Sequence, residues 1–139
     1  MEEGGANRRA EKDIKTDSGN IFKMFIRQGI YNPLDFSIGL KYKDKSTGEF
    51  IILLRCNGPT HPHRNSLERE ILPQTFHIHQ ATERYMADGQ KPDKWAYVTK
   101  SYDNIDSAIA HFVNIAHITP APYISKIPQQ PGLFNDHDN

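Results

Sequence analysis

The run EFIILLRCNG constrains the fold more than any other stretch of this chain. From Phe50 to Leu54 every position is apolar, so neither face of an extended segment here is suited to water, and the run reads as a central strand covered on both sides. Before it, DFSIGLKYK alternates Phe36, Ile38, Leu40 and Tyr42 with Ser37, Gly39, Lys41 and Lys43, the pattern of a half-buried strand. With DKSTG as a five-residue hairpin loop, Tyr42 faces Phe50, Leu40 faces Ile52, Ile38 faces Leu54 and Phe36 faces Cys56. Arg55 then lies on the opposite face beside Ser37.

Other segments attach to this pair. TFHIHQAT alternates strictly and predicts a third strand, with Phe76 and Ile78 inward and His77 and His79 on the other side. WAYVTK predicts a fourth. SYDNIDSAIAHFVNIAHI predicts a helix capped by Asp103 or Asn104, with Ile105, Ala108, Ile109, Phe112 and Ala116 at helical spacing. Near the N-terminus, NIFKMFIRQG sets Ile21, Phe22, Phe25 and Ile26 on one stripe between a cap at Asp17 or Ser18 and a stop at Gly29, which predicts a short amphipathic helix. GPTHPHRN reads as a loop, SLEREIL as a helical turn and ERYMADGQKPDK as a loop. The sum is an α+β domain: an antiparallel meander of about four strands with an N-terminal and a C-terminal helix packed on one face.

The 139 residues suffice for one core. The expected division is a flexible arm over 1–16, a single domain over 17–118 and a proline-rich tail over 119–139. Lys plus Arg and Asp plus Glu both number 17, so there is no global basic field, and any binding to a polyanion must be local. One cysteine, no signal-like apolar leader and no long apolar run point to a cytoplasmic protein with no membrane contact.

The chemistry concentrates in CNGPTHPHRNSLEREILPQTFHIHQ, which holds four of the seven histidines as the pairs His61/His63 and His77/His79. If helices cover one sheet face, His77, His79 and Arg55 share the other, and the loop carrying His61 and His63 leaves the end of the Arg55 strand. A bland reading leaves these imidazoles lining a solvated surface. The sharper reading is metal-independent cleavage of a phosphodiester. One imidazole takes the proton of a 2′-hydroxyl, another protonates the leaving oxygen, and Arg55 offsets the phosphate charge. Here His77 or His79 is the base and His61 or His63 the acid. Asn57, Lys94 and Trp95 form the substrate rim, with RNA as substrate and no cofactor. The same imidazoles, with Glu68, Glu70 or Glu83, also suit Zn²⁺, Ni²⁺ or Fe²⁺, although the spacing matches no familiar structural zinc pattern. A third reading is a non-catalytic module that binds a protein or a nucleotide. Cys56 is a packing residue, His111 and His117 lie on the C-terminal helix, and His137 belongs to the tail.

Residues 35 to 118, through Arg55, Asn57-Gly58-Pro59, His61, His77, His79 and Asp93-Lys94-Trp95-Ala96, resemble an uncharacterised bacterial family of small histidine-rich domains of unknown function. The histidine-rich centre is remotely similar to the TumE-type toxins of toxin-antitoxin pairs. This second resemblance implies a nucleic-acid target and a small antitoxin partner, and a homo-oligomer is compatible with it. The chain departs from the family pattern at Cys56-Asn57, where no acidic residue follows the arginine, and around Pro73.

Overall fold

The computed structural model describes residues 7–14 and 16–118. Six strands form one antiparallel sheet: β1 (Asn7–Ile14), β2 (Phe22–Gly29), β3 (Phe36–Lys43), β4 (Phe50–Asn57), then β7 (His77–Gln80) and β8 (Ala96–Val98), in that spatial order. Between β4 and β7 the chain makes a separate two-stranded hairpin, β5 (His63–Asn65) and β6 (Glu70–Leu72). Between β7 and β8 come α1 (Glu83–Ala87) and a 3-10 turn at Pro92–Lys94. The described chain closes with α2 (Ile105–Ile115) and the few residues after it. Among the described residues the class is α+β as expected, with both helices after residue 82 and none before β2.

The predicted N-terminal helix is a strand. Phe22, Met24, Ile26 and Gln28 alternate as well as Ile21, Phe22, Phe25 and Ile26 satisfy a helical stripe, and pairing with β3 on one side and β1 on the other decides between the two periods. Met24 and Ile26 face the core while Phe25 faces away. Of the expected flexible arm, residues 7–14 are β1, an edge strand; residues 1–6 and 15 lie outside the described residues, as does the expected tail. A charged strand such as NRRAEKDI draws little from burial. It is held by the backbone ladder and by Glu11 and Asp13 pairing with Lys23, and such charge also discourages edge-to-edge association.

The β3–β4 register differs from the expected one by two residues. Lys43 pairs with Phe50, so the loop is one residue shorter than assumed, and a bulge at Leu53 shifts the register by one more: Leu40 pairs with Leu54 but Lys41 with Ile52. Ile38 therefore meets Cys56, Gly39 meets Arg55 and Ser37 meets Asn57. The two one-residue offsets preserve parity beyond the bulge, so Arg55 keeps its face opposite to Cys56. Phe50 and Ile52 change sides and join Lys41 on the outer face. The SLEREIL segment is not a helical turn; it closes the β5–β6 hairpin through Arg69, whose φ of 56° belongs to a tight turn. ERYMA forms α1 instead of continuing a loop, capped by Thr82.

On the inner face α2 lays Ile105, Ala108 and Phe112 against Ile38, Cys56 and Ile78. Its start is fixed by a reciprocal capping box, in which Asn104 and Ser107 each satisfy the other's backbone N–H. On the outer face the 3-10 turn lies over β4 and β7, with α1 packed behind it, and the β5–β6 hairpin sets His63 against His77 and His79, which answers the requirement of an apolar strand for cover on both sides. The chain turns out of β4 at Gly58, where a Cβ would lie 1.8 Å from the Leu34 carbonyl oxygen. Gly58→Ala is expected to lower unfolding free energy by about 2 kcal/mol, as in other overpacked sites, measured by urea denaturation. A neutral result would mean that the Leu34 segment yields freely.

Candidate functional site

The outer face is a cross-strand ladder before it is a site. Arg55 is the Cα partner of His79, and Asn57 that of His77, so β4 and β7 place a guanidinium, an amide and two imidazoles together. The β5–β6 hairpin then folds over them and brings His63 within 4.7 Å of His79 and 6.1 Å of His77, centroid to centroid; the His77 and His79 rings are 5.1 Å apart. His61 projects from the exposed turn before β5. Arg55, Asn57, His61, His63, His77, His79 and Lys94 all line one cavity of about 370 Å³, together with Arg27, Thr60, Lys91 and Asp93. Trp95 does not line it; its ring packs on Tyr97 at 5.4 Å. The histidine face is also not the open surface expected, since His77 and His79 are buried under the hairpin.

Asn65 holds this cover in place. It is fully buried and accepts from the Ala96 N–H at 2.9 Å while donating to the Ala96 carbonyl at 2.7 Å, so one side-chain amide pairs with β8 as a neighbouring strand would. Its Oδ1 also receives His63 Nε2–H at 3.1 Å, and its Nδ2 donates to Glu70. Replacing it with leucine would strand both polar groups of Ala96, so Asn65→Leu is expected to cost on the order of 3 kcal/mol in chemical denaturation. A loss below the error of the measurement would show that the hairpin is held by something else.

Asp93 links the cluster in two directions. Its carboxylate, itself buried, pairs with Arg55 at 3.1 Å, and its backbone carbonyl accepts from His79 Nδ1 at 2.9 Å. His77 Nδ1 likewise meets the Thr75 carbonyl at 2.9 Å. A carbonyl can only accept, so both rings carry their proton on Nδ1 and leave Nε2 as a lone pair. Arg55 offers more donors than Asp93 uses, and its buried Nε–H finds no acceptor among the described residues. Arg27, from β2, is held by Asn7 and Asp35 at 2.8 and 2.9 Å.

Burial is the main cause that lowers the affinity of His77 and His79 for protons, and Arg55 beside them adds to it; the His79 pKa is pushed down to about 3. Both rings are therefore neutral in the folded protein near pH 7. The unfolded chain binds protons on them from about pH 6.5 downward. Stability falls as pH drops through that window, by up to about 1.4 kcal/mol per pH unit for each ring. His79→Asn keeps a donor for the Asp93 carbonyl but cannot titrate. The variant is expected to show a shallower fall in melting temperature between pH 7 and pH 4.5, and an unchanged slope would mean that His79 is not held neutral. Cys56, by contrast, is buried on the inner face and its thiol is pushed up to about 12 by desolvation, which leaves it unreactive.

The imidazoles with fixed outer nitrogens are also what a metal site requires. Among the described residues, however, no three histidine, cysteine, aspartate or glutamate side chains are arranged to hold an ion, and Arg55 occupies the position next to His79. No helix of the described residues is long and apolar enough to cross a membrane. Compared with protein-family models, curated proteins and solved structures, the chain finds no match.

Sequence reasoning missed Asp93 as a partner of Arg55, and missed Asn65, Arg27 and Lys91. For Asp93 a signal existed, since Arg55 opposite a strand histidine needs a carboxylate to be partly buried at all. Nothing in the string HRN marks Asn65 as a bridge to a residue 31 positions away.

Proposed function

We propose that this protein is a metal-independent ribonuclease that cleaves RNA by attack of a 2′-hydroxyl on the adjacent phosphodiester. The observation that carries this reading is the single cavity lined by Arg55 and four imidazoles, two of them with the proton fixed on Nδ1 and Nε2 left as a base. His77 is the better base of the two, because the stronger depression at His79 leaves little driving force for accepting a proton. The 2′-oxygen forms a bond to phosphorus as its proton passes to His77. The bond to the 5′-oxygen breaks as that oxygen takes a proton from the imidazolium of His61 or His63. The products are a 2′,3′-cyclic phosphate and a 5′-hydroxyl. Arg55, held in place by Asp93, offsets the charge gathering on the phosphoryl oxygens, and Lys91, Lys94 and Arg27 give the mouth the local positive field that the neutral chain lacks as a whole. His79 acts as a neutral acceptor.

Purified full-length protein is expected to cleave single-stranded RNA in EDTA, to leave DNA of the same sequence intact and to release a cyclic phosphate. His77→Asn, which can still donate to the Thr75 carbonyl, should reduce cleavage by at least about a hundredfold without unfolding the chain. The acid limb of kcat/KM should lie below the ordinary imidazole range, following the lowered pKa of His77. Retained cleavage in His77→Asn would reassign the base, and cleavage abolished by EDTA in the wild type would favour the metal-dependent alternative. Absence of any cleavage would leave a binding module, for which the cavity is a recognition site. If the protein is a toxin of the kind it resembles, its antitoxin is a small protein that covers the cavity mouth.

A further inference from the structure

The outer face does not end at the histidine cavity. A second depression of about 240 Å³ lies beside it over β1, β2 and β3, and the two share Arg27 and Ile52 as a common wall. We infer that this trough is a binding subsite for a neighbouring nucleotide of single-stranded RNA, with Phe25 as the surface on which a base stacks. The inference rests on the ribonuclease reading of the cavity and names its substrate as an extended strand, not a mononucleotide.

Three observations support it. First, Phe25 is an aromatic ring on the outer face of the sheet, where its neighbours are Arg27 and Lys41, and it is only half-buried. The far edge of its ring lies against Gly39, where a Cβ would come within 2.2 Å, so β3 carries a glycine at the position that gives the ring room. A glycine inside a strand weakens it, and here it also sits directly opposite Arg55. Second, the strand register aligns the cations across the sheet: Arg9 pairs with Arg27, and Arg27 with Ser37, which lies beside Gly39, the partner of Arg55. With strands about 4.8 Å apart, the track from β4 to β1 is about 14 Å long, more than one nucleotide needs. Third, the trough mixes an apolar floor, Phe25 and Ile52, with Arg9 and Arg27 at its sides and the Lys41 ammonium 5.8 Å from the centre of the Phe25 ring, which an entering base would displace, the combination that single-strand readers use for bases and backbone. Among the described residues Glu11 is the one carboxylate lining the trough, and it is tied up by Lys41 at 2.8 Å and Lys23 at 3.8 Å.

The test is binding of a fluorescent single-stranded DNA oligonucleotide, which lacks the attacking hydroxyl, to the full chain by anisotropy, alongside RNA cleavage. Phe25→Leu keeps the apolar volume and is expected to weaken oligonucleotide binding about tenfold, the effect of one lost stack. Arg9→Glu, on the exposed edge strand, is expected to reduce the slope of log affinity against log salt by about one or more. Both variants should cleave a dinucleotide as the wild type does and cleave longer RNA more slowly. Should Phe25→Leu fail to fold, Arg9→Glu alone decides the outcome. Wild-type cleavage of long RNA that neither variant alters would overturn the subsite while the ribonuclease reading stands. Oligonucleotide binding that depends on Phe25, without any RNA cleavage, would do the reverse. Equal affinity for an oligoglutamate peptide, insensitive to Phe25→Leu, would make the trough a protein-docking surface and overturn the inference.

Discussion

The structure depends on one buried amide doing the work of a strand. β8 has β7 on one side, and on the other Asn65 meets the N–H and the carbonyl of Ala96 at once. Because the same amide oxygen receives His63, fastening the hairpin and orienting the imidazole are a single event. The hairpin in turn is what desolvates His77 and His79. The chemistry of the cavity and the stability of its roof therefore cannot be varied independently.

Much of the inner layer was legible in the sequence. α2, its cap, β7 with its alternating imidazoles, β8 and the burial of Cys56 all follow from periodicity and cap residues that no distant contact overrides. The first two strands were not. NIFKMFIRQG satisfies two periods at once, and only the presence of β3 next to it selects the shorter. β1 offers Ala10 and Ile14 as its apolar residues, so its place in the sheet comes from backbone pairing and salt bridges that composition does not announce. The hairpin strands, three residues each, are too short to display alternation.

The site was legible as a set of residues but not as an arrangement. Parity on β4 and β7 was enough to bring Arg55, His77 and His79 together, and chain connectivity was enough to bring His61 and His63 near. What escaped was the cover. Two imidazoles expected at an open surface are buried, which changes them from freely titrating groups into neutral ones. The carboxylate that makes a half-buried Arg55 tolerable, Asp93, arrives from a 3-10 turn that reads in sequence as an ordinary polar loop. Trp95, an obvious candidate for a substrate rim, spends its ring on Tyr97.

The bulge at Leu53 divides β4 into two halves of opposite phase. On the Cys56 side, even-numbered residues point to the helix; past the bulge, Phe50 and Ile52 point to the trough. The loop and the sheet interior thus keep separate counts, and a single-codon deletion at 53 would remove the extra residue while leaving Ile52 opposite Lys41, in the wall shared by the two depressions, and Arg55 opposite Gly39. The loss of one residue at this point is consequently absorbed where it occurs, and neither the trough nor the histidines move.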